Sequence, residues 1–281
     1  MKETPLQMIK SKLKEFIPSE LLDSVPNKWE KIGSVVILKL DDNLTEYKQI
    51  IGKTYADVLQ VQTVLQDVGM IKGVFREPSM KVIFGEKNTV TVHNENNILF
   101  KFDPQKIMFS SGNIDERKRM ANISNSDETV VDLFAGIGYF SIPMAVYSKP
   151  KRIISCEINP VSYDFLCKNI VLNHVTDIVD PLFGDNKNTA PKHGADRVIM
   201  GYLKNTQDFL PIALHCLKKE GGIIHFHCLT SNQLNSQAYC EVVKKIALKH
   251  NCSIDVLKKK NIKSYAPGVN HVVLDVRVGF L

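Results

Sequence analysis

The sequence of 281 residues predicts an α/β protein: a mainly parallel sheet with helices on both faces and an antiparallel terminal strand, preceded by a small α+β domain. Three observations carry this. From about residue 130 onward, short apolar runs alternate with longer amphipathic segments, the pattern of repeated β–α units. The run VVDLFAGIGYF (130–140) ends an apolar stretch in Asp132, breaks at Gly136 and Gly138, and turns apolar again, which reads as strand, tight turn and helix start. The first hundred residues lack this alternation.

Taken in order, the first domain is expected to span residues 1–105, with a strand at 34–40, a helix over 46–59, and a hairpin in TVTVHNENNILFKF around Asn94-Glu95-Asn96-Asn97. The second, 106–281, opens its sheet with VVDLF (130–134), followed by a helix through 138–148. RIISCE (152–157) precedes a helix starting at Asn159-Pro160, where proline suits the first helical position. VDPLFGD (179–185) and DRVIMGY (196–202) supply two more strands. A helix near 207–218 stops at Gly221-Gly222, and IIHFHCL (223–229) is the fifth strand. A helix over 233–250 leads to final strands around 253–259 and 271–278. With no helix between those two, one of them is expected to run antiparallel.

Composition narrows the class. Hydrophobic residues make up 44% and charged residues 23%, which excludes a disordered chain. No apolar run approaches the roughly 18 residues of a membrane span, and the N-terminal stretch MKETPLQMIKSKLKEF has no signal-peptide core. A cytoplasmic location is the expectation, with no membrane contact and no obligate protein partner. The six cysteines include no C-x-x-C pair and read as buried apolar residues in a reducing compartment. The net charge of +6, with lysines at 10, 12, 14 and again at 258, 259, 260 and 263, favours an anionic partner, although each cluster alone fits a solvated face equally well.

The glycine turn points to a ligand, because bare backbone allows close approach and a following helix start favours negative charge. A dinucleotide would require G-x-G-x-x-G/A, but the third small position here is Ser141. S-adenosylmethionine fits better. Its pattern is an acid ending strand one, a glycine turn, a second acid ending strand two, and a polar residue ending strand three. Asp132, Gly136, Glu157 and the pair Asp185-Asn186 occupy those places. Glu157 suits the ribose hydroxyls, Asp185 and Asn186 the adenine, and Gly136 the approach of the amino-acid end. The competing view, turn glycines beside surface acids, has to explain three coincidences.

The segments KIMFSSGNIDERKRM (106–120), DLFAGIGYFSIPMAV, ADRVIMGYLKNTQDFLPIAL and the ending YAPGVNHVVLDVRV together resemble the tRNA wybutosine-synthesising aminocarboxypropyltransferases, in their compact archaeal form. These are relatives of the tRNA guanine-N1 methyltransferases, and the resemblance covers nearly the whole chain. It implies a class I methyltransferase-like, Rossmann-type fold. It also implies transfer of the 3-amino-3-carboxypropyl group of S-adenosylmethionine to 4-demethylwyosine at position 37 of tRNA(Phe), with release of 5′-methylthioadenosine and no metal. Within the family-like stretch, Ser110 and Arg117 then fall to the amino-acid end of the cofactor, since a guanidinium can grip a carboxylate by two bonds. The alternative for Arg117 is a helix-surface pair with Asp115 or Glu116.

The alternative activity is guanine-37 N1-methylation. Enzymes that alkylate ring or amino nitrogens commonly carry an N-P-P-[YF] or N-L-P turn after strand four, whereas this chain has Met200-Gly201-Tyr202-Leu203. A binding module without catalysis would show a degraded motif, and none is visible. The sequence assigns no catalytic base: Asp132 can assist proton removal or organise the turn. His225 and His227 lie two apart on a strand as metal ligands can, but without a third ligand at zinc-like spacing they read as structural. Trp29 reads as core, while Tyr265 and the loop-like KSYAPGVNH (263–271) are candidates for a nucleic-acid face.

Overall fold

The computed structural model describes residues 3–69, 73, 75, 77–231 and 235–281. The chain divides into two compact units, with the boundary at Ser111/Gly112.

The first unit begins with a helix not expected from the sequence, α1 (Pro5–Leu13), and three of its strands, at 29–32, 63–67 and 80–84, were likewise not expected. Its start has a local cause: the Thr4 hydroxyl accepts from Gln7 N (3.3 Å), and Gln7 Oε1 accepts from Thr4 N (2.8 Å), a reciprocal cap with Pro5 in the first turn. Strands β1 (Trp29–Ile32) and β2 (Val35–Leu38) lead to α2 (Lys48–Leu59), then to β3 (Thr63–Asp67) and β4 (Met80–Phe84). The strand order is β1-β2-β3-β4, with only the β2–β3 pair parallel, since α2 carries the crossover between them. Ile9 and Leu13 of α1 and Ile51 and Tyr55 of α2 share a core with Val36 and Val64. Trp29 packs edge-on against Tyr55, 5.8 Å between ring centres, as part of this core.

The expected hairpin is β5 (Thr91–Glu95) and β6 (Ile98–Phe102). Its turn is shorter than the four-residue run suggested. Only Asn96 and Asn97 turn, at φ +52° and +60°, the left-handed pair that a two-residue hairpin needs and asparagine tolerates. Alternate residues Ile98, Phe100 and Phe102 are buried, as a half-buried strand requires.

The second unit holds a seven-stranded sheet. In chain order its elements are α3 (Ile114–Met120), β7 (Thr129–Asp132), α4 (Ser141–Tyr147), β8 (Arg152–Glu157), α5 (Pro160–Leu172), β9 (Val179–Phe183), α6 (Asn186–Thr189) and β10 (Arg197–Met200). These are followed by α7 (Leu210–Cys216), β11 (Gly222–Ser231), α8 (Ser236–Lys249), β12 (Cys252–Ala266) and β13 (Val269–Phe280). The spatial order is β12-β13-β11-β10-β7-β8-β9. The antiparallel strand is β13, paired against both β11 and β12.

Three boundaries differ from expectation. Residues 138–140 precede α4 rather than open it, because Gly138 sits at φ +95°. The helix expected at 207–218 is a 3-10 turn (Thr206–Phe209) running into the shorter α7. The segment KSYAPGVNH is mostly strand: β12 and β13 run far beyond 259 and start before 271, leaving Pro267 and Gly268 as the turn.

Alternation along the strands separates two faces. Val131, Val198, Ile224 and Leu274 pack against Leu214 of α7 and Tyr239, Val243 and Ala247 of α8. On the opposite face the register lines up Asp132, Ile199, His225 and Asp275 across four strands. Three of the four are ionisable, so this face cannot be an ordinary apolar layer.

Candidate active site at the carboxyl ends of the sheet

The parallel strands end on one rim, and the loops there are tied to one another through backbone groups. Leu133 N donates to Ile199 O and Ala135 N to Cys156 O, both at 3.0 Å, while Gly184 N donates to Glu157 O at 3.0 Å. The turn after β7 is thereby fixed against its neighbours β8 and β10.

Asp132, fully buried at the end of β7, organises this turn. One carboxylate oxygen accepts from Phe134 N (3.2 Å) and the other from the Ser141 hydroxyl (2.8 Å), which in turn is bonded by Ser155 (2.9 Å). Burial outweighs these bonds and pushes its pKa up to about 6. Gly136 follows at φ +59°, where a side chain would be strained.

Glu157 ends β8 and meets the turn directly. Its Oε2 accepts from Gly136 N and its Oε1 from Asn159 N, each at 2.7 Å. Burial raises its pKa, opposed by those backbone donors. Each carboxylate oxygen has a further lone pair, so Glu157 can hold the turn and still accept from two ligand hydroxyls. Asp185 and Asn186 follow β9. Asp185 caps α6 by accepting from Lys187 N (3.0 Å). Asn186 donates from Nδ2 to Leu133 O (2.8 Å), while its Oδ1 is buried without a partner among the described residues. A buried acceptor left unmet is costly, and an exocyclic amino group would satisfy it. The donor and acceptor set therefore fits a ligand carrying a ribose and an adenine.

Gly136, Glu157, Asp185 and Asn186 are thus brought to one rim. Arg117 sits on α3 and is only 2% exposed, so the helix-surface pair is not its setting. Glu116, one of the two partners considered for that pair, is held by other cations. Arg119 reaches it at 2.5 Å and Lys260 at 3.1 Å. Ser110 lies in the first unit.

An ionic chain without a counterpart in the sequence analysis crosses the polar face. Arg119 bonds Asp275 (2.6 Å), Asp275 bonds His225 Nδ1 (2.6 Å), His225 Nε2 meets Arg197 (2.7 Å), and Arg197 pairs with Glu128 (2.8 Å). Burial pushes Asp275 up, but His225 and Arg119 outweigh it and hold the carboxyl well below its usual range. Sequence separations of up to 156 residues between partners left no local signal for it. His225 is therefore part of an ion network. His227 bonds His271 (2.9 Å), and burial lowers its pKa to about 3, so it stays neutral. Among the described residues no group of three or more His, Cys, Asp or Glu is placed to hold a metal, and no helix is long and apolar enough to cross a membrane.

Comparison with known proteins agrees with this geometry. Residues 91–256 match the family model of the TRM5/TYW2 methyltransferase domain, and residues 9–89 that of the TYW2 N-terminal domain. The chain is 43% identical over 276 residues to the tRNA(Phe) (4-demethylwyosine(37)-C(7)) aminocarboxypropyltransferase of Pyrococcus horikoshii, spanning 97% of this chain and 98% of the relative. It is 44% identical over 250 residues to the protein of the same name from Methanocaldococcus jannaschii, 89% of this chain and 97% of that one. The crystal structure of P. horikoshii TYW2 in complex with MeSAdo superposes with a TM-score of 0.88 at 41% identity, covering 96% of this chain and 98% of the other. A class I methyltransferase-like sheet, a glycine turn braced by Glu157 and a match to both family models converge: the chain belongs to the TRM5/TYW2 family.

Proposed function

We propose that this protein is an S-adenosylmethionine-dependent aminocarboxypropyltransferase acting on 4-demethylwyosine at position 37 of tRNA(Phe). The observation that carries the reading is the match of residues 9–89 to the TYW2 N-terminal domain, together with relatives named for this activity that align over nearly their whole length. S-adenosylmethionine supplies an activated sulfonium whose bond to the aminocarboxypropyl carbon breaks as the new bond to the ring carbon forms; 5′-methylthioadenosine leaves with the electron pair of the broken C–S bond, and the proton of that ring carbon then passes to solvent. The chain's own work is to bind and orient. Fixing two reactants in line can be worth about 7–11 kcal/mol of barrier.

In this proposal Glu157 accepts from the ribose hydroxyls, and Asp185 and Asn186 accept from the adenine amino group. Gly136 lets the backbone approach the amino-acid end. Arg117 grips the carboxylate of the arm to be transferred. The role of Ser110 at the same end rests on the resemblance alone. Asp132 serves the turn, since both its oxygens are engaged and no part of it reaches solvent.

Incubation with precursor tRNA and S-adenosylmethionine labelled separately in the methyl and carboxyl carbons tests the proposal. Carboxyl label is expected in the tRNA and methyl label in the released nucleoside. Methyl label in the tRNA would overturn the reading in favour of guanine-37 N1-methylation.

A further inference from the structure

A second polar concavity lies on the same rim, at the carboxyl end of β11 and away from the glycine turn. It has a volume of about 460 Å³ and is lined by hydroxyls and amides, among them Ser231, Ser236, Asn261 and Asn270, with Lys259 as its cation. No carboxylate lines it among the described residues. The start of α8 adds only its dipole, because Asn235 already caps the amides of Gln237 and Ala238 at 3.0 Å.

The lysines of β12 divide by strand alternation. Lys260 points to the face that carries α3 and is neutralised by Glu116. Lys259, one residue earlier, turns to the α8 side, is exposed, and has no ion pair among the described residues. An uncompensated ammonium among hydrogen-bond donors, in a chain of net charge +6, is the chemistry of an anion site.

We propose that this concavity holds a backbone phosphate of the substrate RNA, with Lys259 as its charge contact and Asn261 and Asn270 as amide donors. The inference rests on the tRNA reading above and deepens it. Because the cavity shares the rim on which the cofactor residues sit, a phosphate held there sets the register of the strand while the target base reaches the glycine turn. The β12 lysines then do more than discourage edge pairing, the ordinary use of lysine on an edge strand.

The test measures the dissociation constant of the full chain for tRNA(Phe) across a potassium chloride series, alongside its affinity for S-adenosylmethionine. Lys259→Ala is expected to weaken tRNA binding by about tenfold at low salt and to flatten the slope of log K against log salt by about one unit, with cofactor affinity unchanged. Lys259→Arg should restore both. Unchanged cofactor affinity shows that the variant is folded. A Lys259→Glu variant with wild-type tRNA affinity and salt slope would overturn the proposal, leaving edge protection as the role of Lys259. Competition by inorganic phosphate at millimolar concentration, with tRNA binding insensitive to Lys259, would also overturn it and point to a free anion. Neither outcome depends on turnover. Loss of the aminocarboxypropyl reading shows separately, as absence of carboxyl label in tRNA bound normally by the wild type.

Discussion

Four acids of the second unit, each buried or half-buried, fall into two pairs that are treated in opposite ways. At the rim, Asp132 and Glu157 accept hydrogen bonds, among the described residues, from backbone N–H groups and a serine hydroxyl, and burial raises both pKa values. Asp275, three strands along the sheet, and Glu128, just before β7, each face a guanidinium, and both pKa values are lowered. The ionic chain is internally satisfied, so it belongs to the framework. Neither rim acid has a cation partner among the described residues, and Glu157, unlike the fully enclosed Asp132, keeps acceptor strength for a ligand's hydroxyl groups. Substitutions should separate the two groups by what they damage, the framework or the binding.

The largest effect is expected in the framework. Arg119→Ala leaves Asp275 and Glu116 buried without their shared cation, and breaking such a buried network costs about 3–5 kcal/mol. Denaturant unfolding reads this as a lower midpoint. A loss below about 1 kcal/mol would mean that water reaches the chain and that the contrast is false.

Next comes Arg117, on the same short helix as Arg119. Arg117→Ala should lower aminocarboxypropyl transfer by up to a hundredfold while affecting 5′-methylthioadenosine binding far less, because that nucleoside lacks the arm. Arg117→Lys should rescue only in part, since an ammonium cannot reproduce the fork. Equal losses for both ligands would place Arg117 with the framework.

Glu157 is the rim's test. Glu157→Ala strands two backbone donors as well as the ligand, so Glu157→Gln, which keeps one oxygen, is the cleaner variant. Losing a charged acceptor costs on the order of 1.5–3 kcal/mol, roughly ten- to hundredfold in affinity for S-adenosylmethionine by calorimetry. The unfolding midpoint should move little; undiminished affinity would remove Glu157 from the site.

The last effect is a pH dependence, which changes stability only gradually across the range. The folded state holds the Asp132 proton up to about pH 6, against an ordinary value of 3.8. The folded protein therefore binds more protons in that window, and stability falls as pH rises from about 4 to about 6, by at most about 1.4 kcal/mol for each pH unit crossed. Asp275 acts with the opposite sign: its lowered pKa contributes stability that is complete above about pH 4 and is lost progressively as pH falls below that value towards the lowered pKa. Unfolding midpoints of Asp132→Asn measured over pH 4–7 should lack the wild-type decline. A decline that persists in the variant would assign the slope to Glu157.

Much of this is legible without coordinates. The strand-turn-helix at 130–140, the acid at 157 and the pair at 185–186 are local signals: periodicity, glycine and proline, each confined to a few neighbouring residues. The hairpin is visible for the same reason, although its turn contracts to Asn96-Asn97 because backbone geometry allows a two-residue turn there. Helix α1 is written in the sequence as Thr4, Pro5 and Gln7, a capping signal too short to stand out against the mixed charge around it.

What the sequence determined alone was therefore the succession of strands in the second unit's sheet, the hairpin, and the positions at which strands end in polar residues, because these follow from contacts short in sequence; β1, β3, β4, α3 and α6 were not among its expectations. Only the tertiary structure decided that Asp132 serves the turn, that Glu157 is tied to Gly136, and that Glu116 belongs to Arg119 and Lys260. It also decided that His225 lies in an ion chain and that Lys259 and Lys260 face opposite ways. Each of these depends on which residue the sheet register and the helix packing bring opposite another. Partners that lie tens to more than a hundred residues apart leave no trace in local pattern, and a lysine next to a lysine acquires its meaning from the face on which the strand presents it.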